Sequence, residues 1–215
     1  MRITWYGHAA FLIEEYTLTY APSASTLKFF IAKRNENQGR LLAFGNPDGT
    51  LLNAESEAKD VANLYRTQPL LRKQATESQF YAQAGQFDLL HLATHGAYNQ
   101  FNALYTSIAL AADNENDGNL EVHEIFGLNL KETNLVVVSA CETALGEQSK
   151  GDELVGLTRA FLYAGAPSVI TTLWSIDDAV TGDLMVSFYR HLREGEGVAE
   201  ALRQAQLETL ASDEK

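Results

Sequence analysis

An α/β fold with a largely parallel sheet is what the sequence predicts, and two patterns predict it. Short, uncharged apolar runs alternate along the chain with amphipathic stretches of ten or more residues, as in consecutive βαβ units. The clearest run, Leu135-Val136-Val137-Val138, is β-branched and has no polar alternation, as expected of a strand covered on both faces.

The elements follow in order. Residues 16–20 (Tyr-Thr-Leu-Thr-Tyr) are β-prone. Residues 41–44 form an apolar run closed by Gly45-Asn46-Pro47-Asp48-Gly49, a strong turn signal. Residues 54–65 carry Ala58, Val61, Ala62 and Tyr65 on one helical face, and 77–84 form a second, weaker helix. Residues 89–93 are a short apolar run, 107–111 a strand at an edge, and 135–138 the buried strand. Apolar spacing at 154, 157, 161 and 164 predicts a helix over 154–164. Gly165-Ala166-Pro167 opens a strand at 168–172, and long helices are expected over 178–192 and 198–210. Residues 33–39 and 113–118 read as loops, and neither is long enough to separate domains. With no internal repeat or Pro-rich linker, one domain over residues 1–215 is expected.

Composition narrows the function classes. The 215 residues carry 16 Lys and Arg against 28 Asp and Glu, a net charge of −12, and 46% are hydrophobic. The charge argues against direct nucleic-acid binding, which needs clustered cations, and permits a basic partner or substrate residue. A single cysteine excludes an internal disulfide framework. No apolar run approaches the roughly 20 residues of a membrane span, and Met1-Arg2-Ile3-Thr4 does not open a secretory signal. The expectation is a cytoplasmic protein, away from membranes, whose one thiol stays reduced.

In open parallel sheets, function collects past the carboxyl ends of the strands. Three segments stand there: Ala93-Thr94-His95-Gly96, Ser139-Ala140-Cys141-Glu142-Thr143, and Leu173-Trp174-Ser175-Ile176-Asp177-Asp178. A thiolate attacks carbonyls, and a nearby imidazole takes the thiol proton and returns one to a leaving amine. The backbone N–H groups of Gly96 and Cys141 are candidate oxyanion donors. A lone cysteine ending a buried strand is equally readable as a small core hydrophobe, and a His-Gly pair as a turn. Both readings stand on the pattern alone.

Weaker signals were weighed beside this pair. A zinc site from His91, His95, His123 and Cys141 does not suit the spacing of known ligand sets, so no metal and no cofactor is expected. The segment Gly146–Gly151 lacks the Gly-Lys-Ser/Thr ending of a phosphate loop and reads as a loop beside the cysteine. Acidic residues 113–117 lack the full ligand pattern of a calcium loop. Trp5 and Trp174 read as packing residues.

Together, His91-Leu92-Ala93-Thr94-His95-Gly96 and Val136-Val137-Val138-Ser139-Ala140-Cys141-Glu142-Thr143-Ala144-Leu145-Gly146 resemble a CHAT domain. The likeness continues through Gly151-Asp152-Glu153-Leu154-Val155-Gly156-Leu157, Thr172-Leu173-Trp174 and Ala201-Leu202-Arg203-Gln204-Ala205, and includes Gly45-Asn46-Pro47 upstream. The resemblance implies a caspase-like αβα sandwich with a mostly parallel central sheet, in the clan of caspases, gingipains and separase. Caspase-type peptidases carry their histidine roughly 50 residues before a Gln-Ala-Cys segment; here His95 precedes Ser-Ala-Cys by 46.

Several roles follow from the likeness alone. It implies a His95/Cys141 dyad in a cysteine endopeptidase, acting on a protein or peptide substrate. It implies a preference for a basic P1 residue received by Asp177, with Asp178 or Asp152 as substitutes. Asp177 is equally suited to cap the following helix. The opening 1–15 departs from the family pattern and is expected to be a truncated or replaced segment; it superficially resembles metallo-β-lactamase-like hydrolases but has no His-x-His-x-Asp-His cluster. Such domains are often joined to tetratricopeptide repeats, so a repeat-bearing or other sensor module is expected to be either missing or a partner on another chain. The rival reading is an interaction or signalling module of the same fold with a silent or gated dyad. A third is a small-molecule-binding α/β domain with its pocket away from Cys141.

Overall fold

The computed structural model describes residues 11–33, 39–99, 101–142, 152–172 and 178–213. In chain order these form α1 (Leu12–Glu15), α2 (Ala24–Lys33), β1 (Leu41–Gly45), α3 (Leu52–Leu64), β2 (Leu70–Leu71), α4 (Glu77–Gln83), β3 (Leu89–Ala97), β4 (Ser107–Ala109), β5 (Asn119–Glu121), α5 (Val122–Ile125), β6 (Leu135–Glu142), α6 (Asp152–Ala164), β7 (Val169–Thr171), α7 (Asp178–Arg193) and α8 (Val198–Asp213).

Strands β2-β1-β3-β6-β7 pair in that order, all parallel. Strands β4 and β5 add an antiparallel extension that pairs with Gly96 and Ala97, beyond the end of β1. Among the parallel strands, β1 connects to β2 on one side, and β3 connects by way of β4, β5 and α5 to β6 on the other, so the two central strands send their crossovers in opposite directions. The carboxyl ends of β1 and β3 therefore flank the topological switch point, where open α/β sheets bind ligands.

Alternation of side chains along each strand builds two cores. Leu41, Ala43, Leu89, Leu135 and Val137 pack with Val61 and Ala62 of α3, Phe188 and Tyr189 of α7, and Ala201 and Ala205 of α8. Leu42, Phe44, Leu90, Leu92, Val136 and Val138 pack on the other face with Phe80 of α4, Ile125 of α5, and Leu157 and Phe161 of α6. Helices thus cover both faces of a mostly parallel sheet, an αβα sandwich, and double coverage is why the central strands read as apolar runs without polar alternation. Helix α3 comes unusually close to β1 because Gly45 has no side chain: a Cβ there would lie 2.6 Å from the Ala58 Cβ.

The structure departs from the sequence expectations at several places. Strands β3 and β6 continue four residues past their apolar runs, to Ala97 and Glu142. His95 and Cys141 therefore lie within the last residues of their strands rather than after them. The polar ends stay in the sheet because β3 and β6 pair residue for residue as far as Gly96 and Glu142, and because Thr94 Oγ1 donates to the Ala109 carbonyl at 2.7 Å. Residues 16–20 are extended but form no strand; Tyr16, Leu18 and Tyr20 are exposed, and β propensity without a neighbouring strand does not make a sheet. Strand β4 is not an edge, because β5 pairs along it. Elements α1, α2, β2, β5 and α5 were not anticipated. Most are two to four residues long, and α2 buries none of its residues, so no apolar stripe announces it.

Candidate functional site

The site is assembled from the ends of β3 and β6 and the loop that joins β1 to α3. The sheet register makes His95 and Cys141 Cα partners on adjacent parallel strands, and Gly96 and Glu142 the next pair. Neighbouring strands lie roughly 4.8 Å apart, so positions 95 and 141 are lateral neighbours. For Cys141, Asp152 and Asp178 the backbone is described; their side chains are outside the description, as is the whole of Asp177. Asp152 and Asp178 are the first residues of α6 and α7.

His95 belongs to the face of β3 that packs against α3, but it lies beyond Ala93, the last residue of that face covered by Ala54 and Ala58. Its side chain is 20% exposed. The ring Nε2 lies 2.8 Å from Thr50 Oγ1 and 3.6 Å from Asp48 Oδ2. Asp48 Oδ1 accepts both the Thr50 N–H at 3.0 Å and the Thr50 hydroxyl at 2.8 Å. Partial burial pushes the Asp48 carboxyl up, but the Thr50 donors and the neighbouring His95 together hold it below its ordinary range. The other ring nitrogen, Nδ1, is buried and has no hydrogen-bond partner among the described residues.

Asn46 holds this loop in place. It is fully buried, with φ of 49°, in the left-handed region that asparagine tolerates better than most residues. Its N–H donates to the Ala93 carbonyl at 3.0 Å, its Oδ1 accepts the Leu51 N–H at 2.8 Å, and its Nδ2 donates to Glu55 Oε2 at 3.1 Å. Lys59, Arg72 and Asn46 all donate to Glu55 and lower its carboxyl to about 2. Leu51, at the N-cap of α3, offers no capping side chain, so Asn46 supplies the acceptor from the preceding turn.

Gly96 pairs with Ile108 on one side and Glu142 on the other. Among the described residues, a Cβ added to it would meet the Ala140 Cβ at 3.7 Å, an ordinary contact.

The histidines weighed for zinc do not converge. His91 lies two residue pairs deeper in the same strand face, wholly buried. Its Nε2 is 3.1 Å from Glu57 Oε1, within ion-pair distance, yet the two atoms are not aligned for a hydrogen bond, and each is buried without one. Its Nδ1 is 3.3 Å from the Tyr189 hydroxyl. His123 sits apart on α5, 3.1 Å from Glu121. Among the described residues no three His, Cys, Asp or Glu side chains form a metal cluster. In the 113–118 turn, Asp113 is committed to the N–H groups of Glu115 and Asn116, and donors of this kind lower its carboxyl to about 2.

Asp48, Thr50 and Asn46 are the site residues that sequence reasoning did not assign. Their one signal was the Gly-Asn-Pro-Asp-Gly turn directly after a predicted buried strand.

A doubly covered parallel sheet, with histidine and cysteine as lateral neighbours beside its switch point, has the architecture of the caspase-like class. The family model for the CHAT domain matches residues 1–215, and the chain belongs to that family. It is 30% identical over 190 aligned residues to tetratricopeptide repeat protein 28 of Mus musculus, and 26% identical to the protein of that name from Homo sapiens. Each alignment covers 73% of this chain and 8% of the relative, so the chain spans about a twelfth of the length of these curated relatives. No helix among the described residues is long and apolar enough to cross a membrane.

Proposed function

We propose that this chain is a cysteine endopeptidase domain in which Cys141 is the nucleophile and His95 the base. The observation that carries the reading is the register: residues 95 and 141 pair laterally on two central parallel strands, at the carboxyl end of the sheet and beside its switch point. His95 takes the proton of the Cys141 thiol, and the thiolate adds to the scissile carbonyl. The N–H groups of Gly96 and Cys141 are the proposed donors to the oxyanion. The imidazolium returns its proton to the leaving amine, leaving a thioester that water hydrolyses, with His95 again as base.

A basic P1 side chain is the preferred substrate in this reading. Asp177 is its proposed partner, with Asp178 and Asp152 next to it in consideration, because a carboxylate pairs with a guanidinium through two parallel hydrogen bonds. The surplus of 12 negative charges favours approach of such a substrate. The relatives are named for tetratricopeptide repeats, and that supports a setting in which a repeat-bearing protein partner presents substrate or controls the dyad, in the cytoplasm.

Cleavage of a peptide library tests the reading. Activity lost in Cys141→Ala and His95→Gln, with Arg or Lys enriched at P1 and that enrichment reduced in Asp177→Ala, is the expected result. A Cys141→Ala protein that cleaves as fast as the parent refutes the nucleophile. A flat P1 profile removes the proposed role of Asp177. A chain that never cleaves, and whose Cys141 is not labelled by an acyloxymethyl ketone, fits an interaction module with a silent dyad instead.

A further inference from the structure

We propose that Thr50 and Asp48 are positioning residues for His95: they hold the imidazole as its Nε2–H tautomer and leave Nδ1 to receive the Cys141 proton. The inference rests on the peptidase reading for its purpose, but its geometry stands on residues of the β1–α3 loop and β3 alone.

The Thr50 hydroxyl has one proton and two polar neighbours, Asp48 Oδ1 and His95 Nε2, each 2.8 Å away. An ionised carboxylate only accepts, and Asp48 is held ionised well below neutral pH. The hydroxyl proton therefore goes to Asp48, and Thr50 Oγ1 presents a lone pair to His95. Nε2 can meet that lone pair only by donating. A neutral imidazole protonated on Nε2 has its free lone pair on Nδ1, the nitrogen that is buried and unpartnered among the described residues. The opposite assignment sets two lone pairs against each other across 2.8 Å or takes from Asp48 one of its two Thr50 donors.

The same contacts also serve the proton-transfer step. Once the thiol proton reaches Nδ1, the Nε2–H bond to Thr50 becomes charge-assisted, and the Asp48 carboxylate lies 3.6 Å from the same nitrogen. Stabilising the imidazolium stabilises the thiolate beside it. Thr50 and Asp48 contact the ring on its Nε2 side, so both act through His95.

The test has a direct arm and a kinetic arm, both on the full chain. The chain has five histidines, so the side-chain nitrogen NMR signals of a 15N-labelled sample are few, and His95→Gln assigns those of His95. At a pH where the ring is neutral, a protonated Nε2 and a bare Nδ1 are expected; an Nδ1–H ring overturns the proposal. In the kinetic arm, iodoacetamide alkylation is followed against pH, and the single cysteine makes the readout unambiguous. Thr50→Val and Asp48→Asn are expected to move the thiolate limb to higher pH. In Thr50→Val, kcat falls by roughly ten- to a hundredfold with KM kept, the size of one hydrogen bond to an ionised ring. Thr50→Ser, which keeps the hydroxyl, restores both. If His95→Gln slows alkylation while Thr50→Val leaves its pH profile unchanged, the dyad stands and the positioning role is refuted. If His95→Gln leaves Cys141 reactivity unchanged, the dyad itself fails, and the purpose proposed for Thr50 fails with it.

Discussion

Replacing Asn46 by alanine is expected to cost about 3 kcal/mol. Its side chain is fully buried and makes two hydrogen bonds. Loss of the acceptor for the Leu51 N–H is worth about 1 kcal/mol. Loss of the donor to ionised Glu55 is worth about 1.5 kcal/mol, because one partner is charged. Alanine at φ 49° adds about 1 kcal/mol of backbone strain. The three are neighbours and do not add strictly, so the ordering of variants is a sharper test than the total. Asn46→Gly removes only the side-chain contribution and is expected to be about 1 kcal/mol more stable than Asn46→Ala. Asn46→Asp keeps the acceptor for Leu51 but sets a second carboxylate against Glu55, and is expected to be destabilised at pH 7. Urea unfolding with an unchanged m-value reads all three. The same variants loosen the turn that brings Thr50 to His95, so the peptidase activity proposed above is expected to fall with them. An Asn46→Ala protein within about 0.5 kcal/mol of wild type, or one more stable than Asn46→Gly, refutes the view that this side chain organises the loop.

Three other outcomes follow from packing and titration. Gly45→Ala sets a Cβ 2.6 Å from the Ala58 Cβ and is expected to cost about 1–3 kcal/mol by overpacking; Ala58→Gly in the same chain recovers part of the loss, measured as the urea midpoint. His191 lies 3.0 Å from Glu208 and 3.2 Å from Glu196. The Glu208 bond is the largest cause of its raised pKa; burial opposes it, and Glu196 adds to the rise. A raised histidine gives stability that is full below the unfolded value and lost as pH rises through the folded one. The Tm gap between wild type and His191→Gln is therefore widest near pH 6 and narrows toward pH 8. Arg203 donates to the carbonyls of Ile13 and Glu14 at 2.6 and 2.7 Å, tying the start of the described chain to α8; Arg203→Ala is expected to speed limited proteolysis within residues 11–23 while changing the global Tm little.

What the sequence disclosed and what it withheld have separate physical causes. Strands β1, β3 and β6 were legible because they are covered on both faces, so their runs are uncharged and apolar, with His91 in β3 the one polar residue before the strand ends. Helices α3, α6, α7 and α8 were legible from apolar spacing. The ends of β3 and β6 were not, because Thr94 and His95 look like loop residues until a neighbouring strand takes their backbone bonds. Residues 16–20 failed in the opposite sense, having strand chemistry and no strand beside them. His95 and Cys141 were found because each ends an apolar run. Thr50, Asp48 and Asn46 were passed over because their turn is explained in sequence by its glycines and proline, and nothing local shows that β1 delivers it to the end of β3.

The position of α3 decides where the core ends and the site begins. His91, Ala93 and His95 share one face of β3, yet the first is sealed, the second lies under Ala54 and Ala58, and the third is open. The strand does not change along that face; its cover does. Helix α3 starts at Leu52, and the loop 46–51 leads into it from the carboxyl end of β1. One more helical turn at this end would lay side chains over His95 and seal it as His91 is sealed. A later start would carry Thr50 and Asp48 away from the ring. The Asn46 side chain, by taking the Leu51 N–H and holding Glu55 in the first turn, fixes that starting point. Gly45 lets the helix lie low enough on β1 for its leading loop to touch a histidine one strand away. Two residues with no proposed chemical step thereby set how exposed His95 is and which of its nitrogens is occupied.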